Sequence, residues 1–185
     1  ATVAELAFMA LLAMVLRETA REAGSPGVVK ASYAVVPLIA FAECCSWYAV
    51  VTTNYLGNVC EESTWALTAG LMIVCVAALW PKLPRLGARA RWTAGSCALL
   101  GLGYVAFMVT VDVPMYAARW LADEAAGRPY LGLAAGLVDV ATRWHVSFDP
   151  AEWRSEMPWM TLYFSVCVWA SLLLARPAHG GRTPT

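Results

Sequence analysis

Residues 43–65 read ECCSWYAVVTTNYLGNVCEESTW, from Glu43 to Trp65. The stretch carries three glutamates, two asparagines and several hydroxyls. Yet on either side lie runs apolar enough to cross a bilayer, about Val28 to Asn54 before it and Val59 to Trp80 after it. Between them, Asn54-Tyr-Leu-Gly57-Asn58 reads as a tight reversal, because Asn and Gly suit turns. Two apolar helices joined by so short a connection must run antiparallel as neighbours. That reading decides the fold class: all-α, a polytopic membrane helix bundle.

Composition agrees along the rest of the chain. Of 185 residues 60% are hydrophobic and only 14% charged, where a soluble domain carries about a quarter charged. Nine Trp and seven Tyr suit the water–lipid boundary. The net charge of zero gives no footprint for nucleic acid, so membrane lipids are the expected partners. Six cysteines, at positions 44, 45, 60, 75, 97 and 167, form no CxxC pair. They read as buried, inert thiols rather than a disulfide framework.

Three further spans complete a set of about five. Thr2 to Leu16 is short but extendable to Ala20, and it has Glu5 in place of the basic opening of a cleaved signal. The fourth runs from about Trp92 to Val111, with Asp112 at its outer end and Pro114 beyond. The fifth runs from about Pro158 to Ala175. Residues 1–176 then form one transmembrane domain, and 177–185 a flexible tail. The connection between the fourth and fifth spans holds PYLGLAAGLVDVATRW, from Pro129 to Trp144. Its apolar stripe of Leu131, Leu133, Leu137, Val138 and Ala141, opposite Asp139 and Arg143, predicts an amphipathic helix on the membrane surface. Tyr130, Trp144, Trp153 and Trp159 would anchor it at the interface.

Basic residues alternate between connections. Arg17, Arg21 and Lys30 flank the first, and none lies in the second. Lys82, Arg85, Arg89 and Arg91 fill the third, while in the fourth seven acids outnumber four arginines. The tail has Arg176 and Arg182. Counting Lys and Arg puts the N-terminus outside and the C-terminus in the cytoplasm.

The polar residues of the opening stretch then divide. Glu61 and Glu62 fall in the first turns of the third span, where acids complement the helix dipole; that placement needs no function. Glu43 differs. It precedes Asn54 by eleven residues, so it lies roughly 16 Å below the turn, near mid-membrane. A charge there costs about 2.5–3.5 kcal/mol on insertion scales and is a functional hypothesis by default. The alternative is a protonated Glu43 bonded to a neighbouring helix as packing glue. Trp47 and Asn54 share its helical face. With Asn58, Glu61, Asp112, Arg119 and Glu156 they would form a carboxylate-lined pocket open to the outer side, with Glu43 at its floor. His145 and His179 are too few for haem or a His-rich metal site, and no phosphate or dinucleotide motif appears, so no cofactor and no metal is expected. Carboxylates remain as the chemical groups, able to give and take a proton when their surroundings are apolar.

The stretches NVCEESTWALTAGLMIVCVAALW and PLIAFAECCSWY resemble the two glutamate-bearing spans of the emopamil-binding and sigma-2 receptor superfamily. That resemblance implies a sterol-like or isoprenoid ligand, with Glu43 and Glu62 as the acid/base pair. Ile39 stands where that family has a histidine, and its long connection between the two spans is missing. The SYAVVPLIAF region is similar to small transmembrane terpene cyclases, whose Trp-Glu pair reads Trp47-Tyr48 here. Three functions follow as expectations: binding or converting a lipid-like molecule, handling protons or ions as a transporter or channel protomer, or serving as an accessory subunit docked to other membrane subunits or to a second copy.

Overall fold

A computed structural model describes residues 2–143, 147–154 and 157–175. Every regular element among them is helical: α1 (Thr2–Glu22), α2 (Pro26–Thr52), α3 (Tyr55–Leu79), α4 (Ala88–Phe107), α5 (Val113–Ala125), α6 (Leu133–Arg143), α7 (Pro150–Trp153) and α8 (Met157–Leu174). Three stretches are long and apolar enough to cross a membrane: α2, α3 and the continuous run from Ala88 to Ala125. The protein is a helical bundle of the membrane type. Phe41, Trp47, Leu67, Val74, Leu99, Leu100 and Trp169 are all exposed on its outside. In water such a surface would be untenable; in acyl chains it costs nothing.

The core lies where α1, α2 and α3 meet. Met9 and Ala13 of α1 pack on Val35 and Ile39 of α2, with Trp65 and Met72 of α3 alongside. Nearer one end, Leu16, Ala20, Val28, Cys75, Leu79 and Leu83 close a second cluster. At that end the connections α1–α2 and α3–α4 touch, since Lys82 Nζ donates to the Gly24 carbonyl at 3.0 Å. The basic residues of both connections therefore share one end of the bundle.

The reversal between α2 and α3 is tighter than the sequence suggests. Tyr55, Leu56, Gly57 and Asn58 are helical, and only Thr53 and Asn54 connect the two helices. Thr53 takes a left-handed conformation (φ 59°), and Asn54 Oδ1 caps α3 by accepting from the Leu56 amide at 2.9 Å. Gly57 thus serves packing rather than the turn. A Cβ there would meet the Cys45 carbonyl oxygen at 2.6 Å and Ala49 Cβ at 2.8 Å, so the two backbones approach closely where Gly57 crosses α2.

Three other expectations are corrected. The fourth span does not end at Val111. The helix runs on for 38 residues through a π-helical turn, Met108–Asp112. The turn has a local cause: Pro114 has no N–H to give the Thr110 carbonyl, and Val113 N–H reaches back five residues to Met108 O. The surface helix is shorter than Pro129–Trp144. Leu131 N–H donates to Thr52 O, and Gly136 lies directly against the Val51 carbonyl, so α6 is seated on the end of α2. Its Leu133, Leu137 and Val138 remain exposed. Finally, the thiols are not uniformly buried: Cys75 is, while Cys44, Cys60 and Cys97 are exposed and all six are free. On the outside of an apolar bundle a small hydrophobic side chain such as Cys has no need of burial.

Candidate functional site

Thr52 and Thr64 of the opening stretch, and Thr68 just beyond it, are satisfied within their own helices. Thr52 donates to Tyr48 O, Thr64 to Cys60 O and Thr68 to Thr64 O, each at 2.7–2.8 Å. Such bonds to the preceding turn satisfy a hydroxyl inside an apolar helix without any partner element. What is left is a set of carboxyls.

Glu43 is buried, 5% exposed, and its Oε1 has no hydrogen-bond partner among the described residues. Against it stands Glu5 of α1, whose carboxyl lies close enough to the Glu43 carboxyl for the two to interact. Two carboxylates offer only acceptors, so a bond between them requires one shared proton. In the sequence Glu5 reads only as the acid that opens the first span. The signal was present, because an ionisable residue inside an apolar helix deserves the same suspicion wherever it falls. What the sequence lacked was the register of α1 on α2. That register is visible in one bond, Trp47 Nε1 to Thr2 Oγ1 at 3.1 Å, which sets Glu5 level with Glu43 one turn further in.

From α3, Glu61 accepts from Asn58 Nδ2 at 3.2 Å, and the Ser46 side chain of α2 lies close to it. Glu62 is half-buried one residue on and lies within electrostatic range of Glu61, Asp112, Glu5 and Glu43. The π turn supplies Asp112. Tyr104 of α4 lies in the field of Glu62 and Asp112, and Tyr163 of α8 in that of Glu5 and Glu43. Five helical segments therefore turn a polar group toward one region of the bundle. At its edge, the Arg119 guanidinium stands 5.6 Å from the Tyr55 ring centre and 5.7 Å from that of Tyr116, close enough to Asp112 to influence it.

The expected pocket residues divide accordingly. Glu43, Glu61, Glu62 and Asp112 are brought together, with Arg119 and Asn58 at the margin. Asn54 is a helix cap, buried at 7% exposure. Trp47 is 60% exposed and lies across the start of α1. Glu156, Trp144, His145 and the tail from Arg176 lie outside the described residues, as does the side chain of Trp159. Of the other expected anchors, Tyr130 bonds Glu124 and Trp153 bonds the Ser147 carbonyl. No group of three or more His, Cys, Asp or Glu side chains is placed to hold a metal ion among the described residues. A separate groove of about 290 Å³ opens between α2 and α3, lined by Cys44, Cys45, Tyr48, Leu56, Gly57 and Cys60.

The arrangement can do proton chemistry. It gathers several carboxyls and tyrosines from separate helices in surroundings that are otherwise apolar. No family model matches the chain, and no curated protein or solved structure is significantly similar to it. The resemblance to the emopamil-binding superfamily and to the terpene cyclases rests on the quoted residues alone.

Proposed function

We propose that this is an integral membrane protein that binds a lipid-like molecule, isoprenoid or sterol-like, and acts on it by acid/base chemistry. The observation that carries the reading is the buried, unpartnered Oε1 of Glu43 set against Glu5 inside the bundle. A pair with one proton can donate it to an alkene carbon and take another from the neighbouring carbon. That isomerises the double bond with no net change of charge or oxidation state. Glu62, Glu61 and Asp112 connect the pair to the outer side, and Arg119 marks the margin. In this reading α1, α2, α3, α4 with the start of α5, and α8 are five spans, α6 lies on the outer surface, the N-terminus is outside and the C-terminus cytoplasmic.

The test compares Glu43→Gln and Glu5→Gln with the parent chain. Each is expressed and purified, and bound lipid is extracted and identified by mass spectrometry. Isoprenoid- and sterol-containing extracts are then incubated with each protein and searched for an isomerised product. The parent should retain a lipid and convert it, and both variants should fold yet fail to convert it. Full conversion by Glu43→Gln overturns the reading, because an amide cannot exchange a proton in this way.

A second reading has its own observation. Glu61 lies in electrostatic range of Glu43 and Asp112, and Glu62 in range of Glu61, Asp112, Glu5 and Glu43, and such a linked set of carboxyls suits a proton path. Proteoliposomes with a pH-sensitive dye distinguish the two: proton flux that Glu43→Gln abolishes favours a path, and its absence favours the lipid site. A docking role draws least support, since Glu43 is buried against the chain's own helix α1.

A further inference from the structure

Away from the carboxyl cluster, the opposite end of the bundle gathers seven cations from two connections, against Glu18 and Glu22 alone. The Lys82–Gly24 bond joins those connections directly. Most of these side chains are exposed, but Arg17 is not free to leave. Its guanidinium carbon stands 4.9 Å over the Tyr33 ring, and its Nε is buried with no hydrogen-bond partner among the described residues. Its neighbour Glu18 is engaged with Arg21 at 3.1 Å. Arg17 is thus held against an aromatic face, with no carboxylate among the described residues bonded to it.

We propose that Arg17, Lys30 and Tyr33 bind the headgroup phosphate of an anionic phospholipid where α1 packs on α2. Lys30 precedes Tyr33 by three residues, so the two share a face of α2. Arg17 lies five residues before the end of α1, roughly 7–8 Å inside it. From there a snorkelling arginine lays its stem on apolar side chains and carries its charged head toward the polar surface. A planar guanidinium held flat loses little freedom when it takes two phosphate oxygens, and it matches their spacing. The surrounding cations, including Arg91 stacked on Trp80 at 5.0 Å, raise the local concentration of anionic lipid.

The purified full chain in neutral detergent is titrated with phosphatidylglycerol, with phosphatidylcholine and with inorganic phosphate, reading melting temperature and lipid adducts by native mass spectrometry. Phosphatidylglycerol should raise the melting temperature and form adducts, and the other two should not. Arg17→Gln should weaken phosphatidylglycerol about tenfold or more, as expected for loss of a charge-assisted pair. Exposed Lys30→Gln should weaken it severalfold, and Glu18→Gln should leave it unchanged. If Arg17→Gln does not fold, Arg17→Lys and Lys30→Gln decide, since both keep or avoid the packed stem. Equal effects of the two lipids, full binding by these variants, or an equal effect of inorganic phosphate would each overturn the proposal.

Discussion

Glu43 was legible as an unusual residue because depth follows from counting along a helix. Eleven residues from a turn is roughly 16 Å along the helix whatever the neighbours are. Its partner was not legible, because Glu5 lies 38 positions away and only the packing of α1 on α2 joins them. The pairing makes a prediction. Glu5→Leu leaves the Glu43 carboxyl buried without its mate, which should cost about 1–3 kcal/mol, the usual penalty for an orphaned polar group. Replacing both by Leu removes the polar groups together. The double variant should therefore be destabilised by less than the sum of the singles, measured by denaturant titration in detergent. Strict additivity would mean the two carboxyls do not interact. The same scale explains Asn54. Its side chain reads from the sequence as part of a turn and of a pocket, and only the bond to the Leu56 amide shows that it is a cap.

At the scale of the element, apolar runs located α2, α3 and α8 to within a few residues, while the fourth span runs 14 residues past its expected end at Val111 to Ala125, and boundaries failed where a single residue had two uses. Gly57 was read as turn chemistry; it is a packing position inside α3. Gly57→Ala should destabilise the bundle by about 1–3 kcal/mol, because the new Cβ meets backbone atoms of α2 that cannot swing aside. Gly70→Ala, on the same helix with nothing within 4 Å of its Cβ position, should be neutral or mildly stabilising through helix propensity alone. Thermal melts of the two variants give the comparison, and equal losses would mean that α2 and α3 are not in such close contact. Pro114 likewise reads as a helix end or kink. Here it is accommodated by the π turn that carries Asp112. Pro114→Ala restores the missing N–H and should let the helix revert to regular α geometry, rotating Asp112 away from Glu62. Any activity or proton flux that depends on Glu43 should then fall while the fold persists; an unchanged activity would mean that Asp112's orientation is immaterial.

For the whole molecule, what the sequence conveyed was alternation: apolar runs separated by basic and then acidic connections. What it could not convey was which helices touch, because lipid-facing and helix-facing positions are equally apolar and the periodicity that marks a buried face in water is erased. The arrangement still yields a test of topology that is independent of function. The connections at Ala23–Ser25 and Trp80–Gly87 share one end through Lys82 and Gly24, and Leu131 ties the start of the α6 region to the far end of α2 through Thr52. The run from Ala88 to Ala125 spans roughly 57 Å at 1.5 Å per residue, nearly twice the hydrocarbon thickness of about 30 Å. If the run crosses the membrane, part of it must stand clear of the hydrocarbon. In a background with the native cysteines replaced by serine, single cysteines at exposed Glu22 and Ala88 should react with an impermeant thiol reagent only from one side, the cytoplasm. Cysteines at exposed Ala126 and Glu152 should react only from the other. Substituting these four removes no basic residue, so the charge asymmetry that sets the orientation is kept. Labelling of Ala88 and Ala126 from the same side would mean that the long helix does not cross. The carboxyl cluster would then have no membrane around it, and the buried Glu43 would need water or a partner chain in place of lipid.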